Sequence, residues 1–333
     1  MKTNTNKLKE YGKKFLQKIR LRYLAGKDIR RFSKTASFSI YDCSYEQLCS
    51  RIIYNVHAIE KGLSRNENIR LGFGKKALSV LNDALVVYTK SGYSQDSFPY
   101  RQGRSIILRY KKFHESKNFD VSFLSEIIDS TFLEDYNQVF REAGTKTIYR
   151  EEKKQNHNKD FYSLAQNRYS IREFSGQPID INKVNNAIKN AGKTPSVCNR
   201  QGWKVYVVTN KEKMKNLLYL QRGFKGYPKL PEVVLAISVS NSTFLSPVER
   251  NEAFVDGGLF SMSVIYGLEH EGLAAVPLNA MMNSRDEKDI RKLIEVDDSE
   301  QLILFIAIGD FKEETIVPAS DRKSIEDYTI YIK

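Results

Sequence analysis

Two apolar runs constrain this chain more than any other feature. Val233-Val234-Leu235-Ala236-Ile237-Ser238-Val239 and Leu302-Ile303-Leu304-Phe305-Ile306-Ala307-Ile308 have strand length and no polar alternation. A strand of that kind must be covered on both faces. Shorter strand patterns stand at 205–208 and 274–278, and helical patterns lie between them at 179–190, 211–220, 249–271 and 285–294. Asp180 is placed to cap the first of these helices, and Gly272 to end the third. Strands alternating with helices predict an α/β/α sandwich with a mixed central sheet. Gly257, Gly258, Ser261 and Ser263 in the third helix would let another backbone approach closely.

Before residue 150 almost nothing has the period of a strand. Helical stripes recur near 75–90, 101–115 and 122–142, and Ser44 with Gln47 forms a capping-box pattern ahead of Leu48, Ile52, Val56, Ile59 and Leu63. The expected class is α+β, with an all-helical region over 1–150 and the sandwich over 151–333. The polar stretch 150–159 is the expected linker. Gly72-Phe73-Gly74 lacks the preceding strand and third glycine of a nucleotide fingerprint.

Charge is unevenly placed. Residues 1–40 hold twelve basic and two acidic residues, a net +10 out of +13 for the chain. Leu8, Tyr11, Phe15, Ile19 and Tyr23 form one helical stripe among these lysines and arginines. Such an arm suits an anionic surface, whether membrane, nucleic acid or an acidic protein; the alternatives are a solvated tail, or a helix that packs its stripe on the body of the protein. No sequence-specific nucleic-acid partner is expected. No apolar run is long enough to span a bilayer, and the N-terminus lacks the apolar core of a secretory signal. Cys43, Cys49 and Cys198 make neither a disulfide framework nor a metal site, which fits a reducing cytoplasm. Peripheral placement at the inner membrane face is the variant that the basic arm would allow.

The chemistry concentrates in two clusters. Arg168-Tyr169-Ser170-Ile171-Arg172-Glu173-Phe174 sets two guanidinium forks and a hydroxyl within five positions, enough to hold one phosphate. The alternative is a basic helix end satisfying its own dipole. One helix later, Pro195-Ser196-Val197-Cys198-Asn199-Arg200-Gln201-Gly202-Trp203 offers amides that could hydrogen-bond a flat heterocycle. Trp203 is expected in the core and Cys198 as a small buried thiol. His57 and Glu60, three apart on a helix, are either a substrate-contacting pair or a structural hydrogen bond.

The two clusters in this order resemble the FMN-dependent nitroreductases, over roughly half the chain. The resemblance implies that Arg168, Ser170 and Arg172 hold the FMN phosphate or ribityl chain. It also implies that Pro195, Ser196, Asn199 and Gln201 line the flavin ring. Pro277, Leu278 and Asn279 fall where family backbone amides approach the flavin, and Arg322 falls where a C-terminal arginine grips the phosphate. Gly202 replaces a usual proline, Ser320 stands where some members have lysine, and the acidic residue often found near Asn279 is missing. The implied activity is hydride transfer from NAD(P)H through FMN to a small-molecule acceptor, nitroaromatic, quinone-like or biosynthetic. The implied assembly is a homodimer with each site built from both chains, and no catalytic side chain is required. The segment His57–Leu63 with Arg70–Gly74 resembles an N-terminal element accompanying nitroreductase-like domains encoded near bacterial surface-polysaccharide genes. A non-catalytic flavin-fold scaffold, docking through its basic arm to membrane or a biosynthetic complex, is the rival.

Overall fold

A computed structural model of the chain describes residues 2–40, 43–67, 69–134 and 142–332, with side chains from residue 10 onward. In chain order the helices α1 to α6 are Lys2–Thr35, Tyr45–Leu63, Lys75–Lys90, Phe98–Glu115, Leu124–Ile127 and Ser130–Leu133. After strand β1, Thr145–Tyr149, come α7 to α9, Arg150–Lys154, Phe161–Asn167 and Ile181–Ala191. The remaining elements are β2 Trp203–Val208, α10 Lys211–Gln221, β3 Val233–Ser240, α11 Glu252–His270, β4 Ala274–Asn279, α12 Ser284–Ile294, β5 Glu300–Gly309 and β6 Glu314–Pro318. The chain forms two compact units, one of residues 1–35 and 149–313, the other of 36–148 and 314–333. The sequence-based division at 150 differs from this at both chain ends, because α1 joins the second half and the C-terminal segment joins the first.

In the helical unit, Ser44 and Gln47 close the expected capping box on α2. Leu48, Ile52 and Ile59 of α2 meet Leu78, Leu81 and Leu85 of α3 and Ile106 of α4 in a closed apolar core. Each such side chain stabilises the fold by about 1.5–3 kcal/mol when fully buried. The helix expected over 122–142 is instead two short ones, α5 and α6. Ile128 is extended, and the Asp129 carboxylate accepts from Thr131 N–H to start a new helix. Residues 135–141 of that expectation lie outside the described residues. A two-stranded pairing of β1 with β6 adds strand character to a region expected to be wholly helical. Glu60 Oε1 accepts from Gly144 N–H at 3.0 Å, and Asp321 Oδ2 accepts from Ala143 N–H at 2.7 Å. These two carboxylates hold the positive-φ corner at Ala143 and Gly144 that leads into β1. His57 Nδ1 stands 3.5 Å from the other Glu60 oxygen, so Glu60 serves the structural alternative.

In the sandwich unit the strand order is β2-β3-β5-β4. All three pairings are antiparallel, which corrects the expected mixed sheet. A continuous apolar run reports coverage of both faces, not strand direction, and an antiparallel strand covered twice has the same sequence. β3 is buried along Val233–Val239. Leu235 and Ile237 join Val184, Phe260, Val264 and Leu268 in one core, while Val234 and Ala236, on the other face, are equally buried. Helix α11 packs on the sheet and against α9. At Gly267 a Cβ would lie 2.9 Å from the Ala187 backbone, so that helix contact requires glycine. Gly257 likewise abuts Ile303 at 2.5 Å, whereas Gly258 faces open space.

The expected linker is not one. Lys153 and Asn156 are buried, and Lys153 Nζ lies 2.5 Å from Glu269 Oε1 at the end of α11. The polar composition of 150–159 concealed a buried ion pair whose partner is more than a hundred residues away.

Candidate functional site

The first cluster follows α8, which Asp160 caps through Ser163 N–H. The helix stops at Arg168, where the backbone turns extended. Ile171 N–H then donates to Ala275 O at 2.9 Å, and Phe174 bridges Phe311 after β5. The segment therefore runs along the outer edge of β4. β4 is the edge strand of the sheet, the one place where Pro277 costs no ladder hydrogen bond. Successive residues alternate edges in an antiparallel strand, so Ala275, Pro277 and Asn279 share the edge beside Arg168–Arg172. Asn279 O accepts from Gln221 Nε2 at 2.9 Å, and Leu278 is buried beneath.

Arg168, Ser170 and Arg172 are all half-buried. The Arg172 guanidinium makes one weak contact, to Ser170 O at 3.4 Å, and no carboxylate pairs with it among the described residues. Burial pulls its pKa below the ordinary arginine value, offset only by the nearby Tyr227 hydroxyl. A desolvated guanidinium without a counter-ion is costly, and an anionic ligand is what would compensate it.

The second cluster is a strained loop. Cys198, Asn199 and Gln201 have φ of 49°, 55° and 51°, a region that non-glycine residues seldom occupy. Ser196 Oγ accepts from Gln201 N–H at 2.9 Å, and Gln201 Nε2 donates to Asn199 Oδ1 at 3.2 Å. Pro195, Cys198, Asn199 and Gln201 are exposed. Cys198 is thus not the buried thiol expected, because its left-handed backbone lifts it out of the packing. Trp203 is half-buried and stacks on Phe260 with ring centres 4.7 Å apart. Gly202 has a reason of its own, since a Cβ there would meet Thr243 Oγ1 at 2.8 Å.

Three anchors hold this loop, and the sequence did not disclose them. Asp256, buried in α11, accepts from Val197 N–H at 3.1 Å, and Thr194 Oγ1 donates to Ser263 Oγ at 2.7 Å. Arg200 pairs with Glu249 at 2.5 Å and donates to Thr243 O. The only signal for Asp256 was a carboxylate among the apolar residues of α11's first turns, with Ala253, Phe254 and Val255 before it. Hydrogen bonding from the Arg200 guanidinium, with Leu245 and Ser246 N–H, holds the Glu249 carboxyl at about 2, below its ordinary 4.5. A depressed carboxyl contributes its full stability above the unfolded value and loses it as pH falls toward the folded one. The melting-temperature difference between wild type and Glu249→Gln should therefore be constant above pH 4.5 and shrink between 4.5 and about 2.

Arg322 lies in the helical unit, after β6, where Ser320 has φ 48° and its carbonyl accepts from Arg322 Nη1. No group of three metal-ligating side chains occurs among the described residues, nor is any helix there long and apolar enough to cross a membrane.

Residues 165–225, from α8 through α10, match the Nitroreductase family. Over these 61 residues the chain is similar to that family. The match contains both clusters and the helix between them. An iodotyrosine dehalogenase 1 homolog of Caenorhabditis elegans is 25% identical over 202 residues, 51% of this chain and 60% of that protein. The match thus covers less than two thirds of that relative. Among solved structures, a nitroreductase with bound FMN from Desulfitobacterium hafniense is 19% identical, covering 52% of this chain and 97% of that one, with a TM-score of 0.41. A nitroreductase family protein from Clostridium difficile 630 is 18% identical, covering 53% and 99%, with a TM-score of 0.45.

Proposed function

We propose that the chain is an FMN-dependent oxidoreductase that takes hydride from NAD(P)H and passes it to a small organic acceptor. The observation that carries this is Arg172, a desolvated guanidinium close in sequence to Ser170 and Arg168, with no carboxylate to neutralise it among the described residues. A dianionic phosphate supplies the missing charge and accepts from both forks and the hydroxyl. FMN fits that need, and when bound it supplies hydride acceptance and donation at its ring.

The chain's own residues position and polarise. Arg168, Ser170 and Arg172 fix the phosphate end. The β4 edge at Pro277–Asn279 would line the ring end of the cofactor. There the Asn279 N–H, on the open edge, would supply a fixed dipole to offset negative charge on the reduced flavin. In the strained loop Asn199 and Gln201 are exposed, and Ser196 is half-buried with its hydroxyl accepting from Gln201 N–H. A second copy that receives this loop completes the site, so the enzyme works as a homodimer. Acceptors to assay include nitroaromatics, quinones and, given the C. elegans relative, iodinated tyrosine.

The test is the absorbance spectrum of purified protein, with the released chromophore identified and NAD(P)H added without oxygen. Bound FMN that bleaches supports the enzyme. Bound FMN that no nicotinamide reduces favours a scaffold or another donor. A chain that retains no FMN after reconstitution has had its phosphate cluster misassigned.

A further inference from the structure

We propose that α1 is a peripheral membrane helix that lies along an anionic lipid surface and carries the sandwich unit there. The proposal is independent of the cofactor. Helix α1 is 34 residues long, and among the described residues its ion-pair anchor lies in its C-terminal third. Asp28 Oδ2 accepts from Arg250 Nη2 at 2.6 Å and Nε at 2.7 Å, and the helix touches the turn at Pro247–Glu249. From Tyr11 to Tyr23 every residue is exposed. At 1.5 Å per residue, the part between Tyr11 and the Asp28 anchor reaches about 26 Å.

That exposed stretch has a consistent apolar face. Tyr11, Phe15, Ile19 and Tyr23 recur at four-residue steps and are 70%, 64%, 48% and 57% exposed. Such a row is one continuous ridge, and a ridge of large apolar side chains in water is unfavourable until something covers it. Lysines and arginines occupy both shoulders: Lys13, Arg20 and Lys27 on one side, Lys14 and Lys18 on the other. Between Tyr11 and Lys27 there is no acidic residue.

Charge chooses the occupant. Residues 1–40 carry +10, and the remainder of the chain is itself net positive. A second copy therefore offers no acidic surplus to receive this helix. An anionic bilayer does. The aromatic and aliphatic ridge sinks into the headgroup boundary while flanking basic side chains reach its phosphates. Asp28, the one acidic residue after Glu10 in the helix, is consumed by Arg250 and sets no charge against the lipid.

Flotation of the full chain with vesicles tests this directly. It should float with phosphatidylglycerol-containing vesicles, not with pure phosphatidylcholine, and high salt should release it. Each basic residue lost near the surface weakens binding about fivefold, so K13E/K18E/R20E should weaken it by at least about a hundredfold. F15S/I19S, which keeps every charge, should also lose most binding. All five positions are exposed, so the circular dichroism and melting temperature of the body should not change. Failure of the intact chain to float, or equal flotation on neutral vesicles, overturns the proposal. So does an F15S/I19S variant that floats normally but falls to a smaller oligomer, since a second copy would then cover the ridge.

Discussion

Glu269→Ala should destabilise the protein by about 3–5 kcal/mol, the cost of leaving one half of a buried ion pair without the other. Glu269 and Lys153 are 4% and 3% exposed and stand 2.5 Å apart. Asn156 Nδ2 donates to both Glu269 Oε1 and the Glu269 carbonyl, at 2.9 and 2.8 Å. The carboxylate therefore receives two donors, and of these the Lys153 ammonium would lose its only ion-pair partner among the described residues. Burial already pulls the Lys153 pKa below the ordinary lysine value, and the attraction of Glu269 works against that fall. Without Glu269 the folded-state pKa drops further. The unfolded chain then binds the extra proton, so the variant should regain stability as pH rises. Equilibrium denaturation at neutral and alkaline pH measures both effects. Lys153→Met with Glu269→Leu should recover most of the loss, because an apolar pair of similar volume leaves no charge behind. A single-variant cost below about 1 kcal/mol would mean that water reaches this pair, as for surface bridges. The pair also matters to the site: Lys153 Nζ donates to the carbonyl of Asn167, the residue before Arg168.

What the sequence disclosed and what it hid follow from the range of the interactions. Ser44 with Gln47, Asp180 before α9 and Gly272 after α11 are local devices, written within a few residues, and each acts as its pattern predicts. The apolar runs at β3 and β5 announce burial because β3 is covered along Val233–Val239 and β5 along Leu302–Ile308 except for the half-buried Ile303 and Leu304. The direction of those strands was hidden, since burial is the same either way. The stretch 150–159 has the composition of a linker because all ten of its residues are polar, the buried Lys153 and Asn156 among them. Their burial is decided by Glu269, at the far end of another helix. Asp256 was hidden for the same reason: its partner is the Val197 amide, 59 positions away. The residues of the phosphate and ring clusters were legible as types and spacing. The backbone strain at Cys198, Asn199 and Gln201 was not, because no glycine marks those positions. Arg322 was placed by resemblance alone, and the fold puts it in the helical unit.

Arg172→Ala separates a binding role from a structural one, because the two predict opposite signs. If Arg172 exists to hold a phosphate, its burial is a cost carried by the empty fold. The guanidinium has no carboxylate among the described residues, one carbonyl contact at 3.4 Å, and a pKa depressed by desolvation. Removing it should then leave the melting temperature of the cofactor-free protein unchanged or raised, as at sites where function is bought with stability. FMN affinity should move the other way. A hydrogen bond to a charged group is worth about 1.5–3 kcal/mol, which is a loss of about 10- to 150-fold in Kd. Arg172→Lys should fall between, since an ammonium keeps the charge but not the two-pronged geometry. Titration of FMN into the reconstituted variants, with thermal unfolding of the same samples before and after, reads both quantities. Weaker FMN binding without loss of apo stability assigns the guanidinium to the phosphate. A destabilised apo protein with unchanged FMN affinity would return Arg172 to the scaffold and leave Arg168 and Ser170 to be tested alone.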